Sequence, residues 1–323
     1  MPVPTRRLLL LLAPALFSFT QSVADPELFA PGVISTADDE LNAAFIPDQR
    51  TVFFSKSMPS NRMGVIFVSH LRGNKWTSPE IAPFSGRYSD YDPFVTADGE
   101  HIYFISNRPK PDSTTTKPQR TFDIWVVDKT ADGWSAPRTF GAPINTDGQE
   151  YYPTLTASGT LYFSSNRPGG KGAGDIYRSR FVDGHFTEPE SLGDSINTAS
   201  HEGDPFIAPG ESYIIFASYG RPDDLGRGQA AGDLYISENV GGVWTKARHL
   251  EAPINSTAWD YCPIVSPDGR YFYFSSYRGF ADSLPLSPQS ARSLAQQMHG
   301  IHNGLGNVYR VDIGALRRSG RAQ

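Results

Sequence analysis

Two aspartates, Asp92 and Asp204, each follow another acid by two positions, Asp90 in one case and Glu202 in the other, and His201 adjoins Glu202. Carboxylates brought together can hold Ca²⁺, which takes oxygen ligands, or divide acid and base work once their surroundings separate their pKa values. An imidazole beside them could move protons near neutral pH. Asp92, His201 and Asp204 are therefore the candidate catalytic residues, and Asp92 and Asp204 the candidate metal ligands. A hydrated polar channel and a surface histidine are the plainer readings of the same residues. His299 and His302 bracket Gly300-Ile301 with no third ligand in view, which falls short of a zinc pattern. Cys262, the only cysteine, lacks an adjacent base and reads as a small buried residue. No Ser-His-Asp, zinc or phosphate-loop signature is present, and no cofactor beyond Ca²⁺ is implied.

A second set of charges recurs. Asp90, Glu150, Glu202 and Asp260 stand three residues before a proline, and Arg108, Arg167, Arg221 and Arg278 follow at a regular distance. Glu40 and Lys56 are the first such pair, with Glu40 apparently one place out of step. An arginine fork matches a carboxylate, so these eight residues stitch their units together, form a polar funnel for a charged or sugar-like ligand, or do both.

Both sets sit in a repeat. Tyr91-Asp92-Pro93-Phe94-Val95, Tyr151-Tyr152-Pro153-Thr154-Leu155, Gly203-Asp204-Pro205-Phe206-Ile207 and Tyr261-Cys262-Pro263-Ile264-Val265 follow one grammar, and Asn42-Ala43-Ala44-Phe45-Ile46 is aligned with them, which puts Ala43 at the place of Asp92. A tight turn follows each, and four of the five turns end in Gly, as a short hairpin requires. Aromatic and β-branched runs such as Ile102-Tyr103-Phe104-Ile105 and Asp123-Ile124-Trp125-Val126 supply a second and third strand. A fourth opens with an aromatic and a hydroxyl residue, usually before proline, as in Trp76-Thr77-Ser78-Pro79; proline places it at a sheet edge.

Only four copies of that fourth strand occur, and Phe29-Ala30-Pro31-Gly32-Val33-Ile34-Ser35 resembles the stretch from Phe140 to Asn145 that follows one of them. The mature N-terminus is thus expected to complete the last unit, closing an all-β, five-bladed β-propeller of four-stranded antiparallel blades. The longest interruption, 280–306, carries Ser287-Pro288 as a helix start and Ala291, Leu294, Ala295 and Met298 at helical spacing, predicting one short helix inserted in the last blade. It reads either as a piece packed on the rim or as a lid.

The remainder of the chain sets the context. Arg6 and Arg7, the apolar run Leu8 to Phe19 and Ser22-Val23-Ala24 read as a signal peptide over 1–24, leaving 25–323 as a single domain. The apolar run is short for a membrane span, so a periplasmic or secreted protein without a transmembrane anchor is expected. After cleavage 27 basic and 34 acidic side chains remain, a balance that argues against nucleic acid as partner.

The Pro-Asp-Gly-type turns, the Tyr-Phe-Ser-Ser strands and the run from Asn166-Arg167-Pro168-Gly169-Gly170 to Asp175-Ile176-Tyr177 resemble the WD40-like (PD40) repeat of the TolB family. The resemblance implies a propeller over nearly the whole mature chain; TolB itself has six blades and a further N-terminal domain, where five repeats are read here. Together these features suggest an exported, non-catalytic scaffold that recognises a peptide, glycan or protein partner at the mouth of its central channel. The alternative is a carbohydrate-active lyase or hydrolase using acids at the same mouth.

Overall fold

Each of the five repeats folds as one antiparallel sheet, and the five first strands, Asp39–Phe45, Asp90–Val95, Glu150–Leu155, His201–Ile207 and Asp260–Val265, neighbour one another around a central channel. The structure is a computed structural model, and it describes residues 24–59, 63–111, 113–225, 232–279 and 290–318. Nearly all of the proposed signal peptide, and Ser287-Pro288, lie outside the described residues. Second and third strands follow outward in order, so Asp90–Val95 pairs with His101–Ser106, which pairs with Asp123–Thr130. Facing blades interleave their apolar rows; Phe54, Phe104, Phe163, Phe216 and Phe274 are fully buried. The fold is a five-bladed β-propeller. Among the described residues no helix is long and apolar enough to cross a membrane.

The fourth strand is a broken one. Trp76 pairs with Leu71 and prolongs the third strand's hairpin, whereas Glu80 and Ile81 pair farther back with Val68 and Phe67. Pro79 stands in the jog between these pieces, where no ladder bond is asked of it. The hydroxyl residue of the motif repairs the break. Thr77, Ser135, Thr187 and Thr245 accept from the amides of His70, Asp128, Arg180 and Glu238 at 3.0–3.1 Å. This explains the pairing of an aromatic with Ser or Thr: the ring covers the neighbouring blade, and the hydroxyl replaces the lost backbone partner.

The N-terminal segment closes the ring. Glu27 and Leu28 pair with Arg310 and Tyr309 as the outer strand of the last blade, and the Phe29 amide donates to the Val308 carbonyl at 2.8 Å. Phe29 then fits between the rings of Phe45, Trp76 and Tyr273, with centroids 5.1–5.7 Å away. Ile34 is fully buried, as are its counterparts Ile144, Ile196 and Ile254.

The insertion differs in detail from the expected one. Its helix is Ala291–Met298, and the cap is Ser290, whose hydroxyl accepts from the Ser293 amide at 3.0 Å. No residue of this helix is buried. The segment after it is tied to the first blade: Asn303 donates to the Ala37 carbonyl at 2.9 Å, and the Gly306 amide donates to Asp39 Oδ1 at 2.8 Å.

Because Phe29 belongs to the seam between the first and last blades, Phe29→Ala should destabilise the protein by about 3–5 kcal/mol, as for other buried aromatic truncations. Denaturant midpoints measure this; a loss below about 1 kcal/mol, a surface-like value, would mean the seam holds without it.

Candidate functional site

The recurrent acids are fully buried, each at the start of a first strand. Arg108 reaches Asp90 at 2.7 Å, Arg167 reaches Glu150 at 3.5 Å, Arg221 reaches Glu202 at 3.0 Å and Arg278 reaches Asp260 at 2.6 Å. Every pair lies within one blade. The same guanidinium groups donate to carbonyls of the segment that enters the blade, those of Phe84, Ile144, Ile196 and Ile254. They also lie over aromatic rings such as Phe104, Phe163, Tyr235 and Phe274. Each carboxylate accepts in addition from a hydroxyl four or five residues earlier: Ser85, Thr146, Thr198 or Ser256. The eight charged residues are therefore ion-paired within their own blades.

The first blade is in step with the others. Leu41 pairs with Ser55 and Ala44 with Phe53, just as Tyr91 pairs with Ile105 and Phe94 with Tyr103. Glu40 thus matches Asp90, and Asn42, not Ala43, matches Asp92. The sequence alignment slipped by one because this blade has Ala43 where the others have proline. Lys56, on the second strand itself, takes the arginine's part and reaches Glu40 at 2.9 Å.

Two residues beyond each acid the first strand bulges, with two residues opposite one on its partner. The first residue of every bulge is left-handed: Asn42, Asp92, Tyr152, Asp204 and Cys262 have φ between 49° and 56°. Asn and Asp tolerate this region; Tyr and Cys do so at a cost of order 1 kcal/mol or more. Their side chains meet across the inner strands. The Tyr152 hydroxyl spans from the third blade to the Pro263 carbonyl of the fifth at 2.9 Å. The Cys262 amide donates to Asp204 Oδ2 at 3.2 Å, and the Tyr152 amide donates to Asp92. Asn42 Oδ1 is buried with no partner.

Asp92 and Asp204, from the second and fourth blades, share this interior. Burial and the charge of Asp204 hold Asp92 well above the usual carboxylate range. Burial raises Asp204 to about 6, against hydrogen bonds from Cys262 and Tyr219. Asp204 keeps some contact with solvent, whereas Asp92 is 8% exposed. Such a pair titrates as one unit and passes through a state with a single proton. Burial and the two carboxylates push the Cys262 thiol up, so no thiolate nucleophile is available.

Above the acids lies an aromatic rim. Tyr219 meets Trp259 edge-on at 5.0 Å, Trp259 contacts Tyr261 at 5.0 Å, and Tyr261 stacks on Tyr277 at 5.4 Å. His201 packs on Tyr219 at 5.1 Å, and burial lowers its pKa, so it is neutral at pH 7. The candidate trio Asp92, His201 and Asp204 is thereby brought to one end of the channel, with Tyr219 between the imidazole and Asp204. Tyr219 and Tyr277 were missed in the sequence, although a signal exists: both replace the asparagine of the Ser-Asn-Arg pattern seen at Asn107 and Asn166. The other end of the channel is apolar, a cavity of about 290 Å³ ringed by Phe45, Phe94, Leu155, Phe206 and Ile264. Among the described residues no group of three or more His, Cys, Asp or Glu could hold a metal ion. Asp92 and Asp204 would supply a cation with carboxylates from two blades only.

No protein-family model matches the chain, and no curated protein does. Solved structures share its general course at low identity. A TolB-type protein of Agrobacterium tumefaciens is 15% identical, with a TM-score of 0.48 over 85% of this chain and 90% of its own. An α-L-arabinofuranosidase of Lactobacillus brevis is 12% identical, with a TM-score of 0.48 over 87% and 92%. The catalytic domain of a Coprinopsis cinerea α-L-arabinofuranosidase is 12% identical, with a TM-score of 0.48 over 89% and 97%.

Two outcomes separate structural from functional charge. Arg221→Met leaves Glu202 buried without its ion partner and should cost about 3–5 kcal/mol in a denaturant titration. Asp92→Asn should do the opposite. The native carboxyls hold protons that the unfolded chain has already released, so native stability declines as pH rises above about 4. The asparagine should raise the melting temperature by a few degrees at about pH 8 and leave it near wild type at about pH 3, where both states are largely protonated. An equal shift at both pH values would show that Asp92 carries no buried-charge penalty.

Proposed function

We propose that this chain is an exported, carbohydrate-active propeller in which Asp204 and Asp92 act as base and acid on a neutral, hydroxyl-rich substrate held at the aromatic end of the channel. The supporting observation is the meeting of two carboxyl groups from non-adjacent blades on left-handed bulges, where both groups resist ionisation. Asp204, the more accessible, loses its proton first and serves as base or nucleophile. Asp92, deeper and beside that charge, keeps its proton and serves as acid. Pairs whose environments push their pKa values apart are the usual basis of lyase and hydrolase chemistry on glycosides. Aromatic faces such as Trp259 and Tyr219 suit the apolar side of a sugar ring, and their polar edges suit its hydroxyls. The leader-like residues 1–24 motivate a periplasmic or extracellular setting, where polysaccharide is met.

A second reading is non-catalytic recognition of a glycan, peptide or protein at the same mouth. It is favoured by the Tyr152 hydroxyl bridging the channel and by the backbone amides that occupy both carboxyls.

Turnover separates the two. On a panel of neutral oligosaccharides, Asp204→Asn should lower kcat/KM by about 10²–10⁴, the range for a lost acid or base group, while binding persists. The wild-type acid limb should fall near pH 6, where Asp204 titrates. Binding without turnover in the wild type, unchanged in the variant, would favour the recognition reading.

A further inference from the structure

Beside the acid pair, between the third and fourth blades, lies a pocket of about 210 Å³ that none of the above assigns. Its walls are Gln149, Tyr151, Ser164, Ser165, Asn166 and His201, with Ala173 and Gly174 as its small floor. Among the described residues no lysine, arginine or carboxylate lines it, and His201, held neutral by burial, offers one donor and one acceptor. Ser164 is 1% exposed, yet its Oγ has no hydrogen-bond partner. A buried hydroxyl of this kind destabilises the fold until something supplies the missing bond. Glycine at 174 is required here: a Cβ there would lie 2.5 Å from the His201 ring, so the residue makes room for the imidazole. The pocket is joined to the acids, because His201 packs on Tyr219 and Tyr219 donates to Asp204.

We infer that this pocket is a subsite for a single neutral sugar ring, bound by Ser164, His201, Asn166 and the Gln149–Tyr151 pair. The inference rests on the carbohydrate reading of the channel and adds to it the position and charge class of one bound unit. The volume matches about seven waters at about 30 Å³ each, so it suits one small ring and not a chain. A charged sugar would enter without an opposite charge to meet it, and a buried unpaired ion is strongly disfavoured. The ligand's hydroxyls, in contrast, find amide, hydroxyl and imidazole groups that both donate and accept.

Calorimetric titration of the full mature chain with neutral pentoses and hexoses, set beside the matching uronic acids and amino sugars, tests this. Saturable binding of at least one neutral sugar in the millimolar range is expected, with charged counterparts weaker by about tenfold or more. Ser164→Val and His201→Phe should each weaken the neutral sugar by about tenfold. Asn166→Ala, on the exposed lip, should weaken it too and guards against a buried variant that fails to fold. Asp204→Asn should leave this affinity unchanged while lowering kcat/KM by about 10²–10⁴. Charged sugars binding as well as neutral ones, no neutral sugar binding, or unaltered affinity in folded Ser164→Val and Asn166→Ala would overturn the subsite. If those variants weaken the sugar but Asp204→Asn retains turnover, the subsite stands and the acid–base reading falls.

Discussion

A fully buried carboxylate at the head of each inner strand organises this molecule. Such a charge is tolerated only when paired and fully hydrogen-bonded. Each blade meets that condition with a cation from the end of its second strand, and the same guanidinium, in four blades, grips the carbonyls of the segment arriving from outside. Inner strand, second strand and entry segment are thereby locked in one arrangement. The first blade reaches the same end with Lys56, which donates from the strand itself and needs no following arginine.

With these strands held, the bulge two residues on has a defined place in every blade. Five side chains converge there, and their identities break the repeat: Asn42, Asp92, Tyr152, Asp204 and Cys262. The constant charges form ion pairs within their blades, and the centre is where the blades differ. Two of the five are acids that burial keeps from ionising freely, an arrangement that lowers stability at neutral pH. The two ends of the channel differ accordingly, one ringed by five apolar side chains and the other by Tyr, Trp and His.

The architecture was legible in the residues because a propeller repeats one local problem five times. Proline at a strand break, a hydroxyl to cover the lost amide, glycine in the hairpin and an acid three residues before proline recur in register, and each has a local cause. The closing role of Phe29 to Ser35 was legible for the same reason, as a fourth-strand tail without a fourth strand. The slip at Ala43 shows the limit of such reading. Without the proline landmark, only the ladder pairing Leu41 with Ser55 and Ala44 with Phe53 reveals that Asn42 faces the channel.

The amino-acid sequence by itself determined the number of blades, their strand order and the closure, since these follow from short-range pattern and repetition. Only the tertiary structure decided which acids are clamps and which face each other, because Asp90 and Asp92 differ by two positions along one strand yet turn to different surroundings. It also decided that Tyr219 stands between His201 and Asp204. Asp92 and Asp204, in contrast, meet between blades from positions more than a hundred apart, and only the ring brings them within reach.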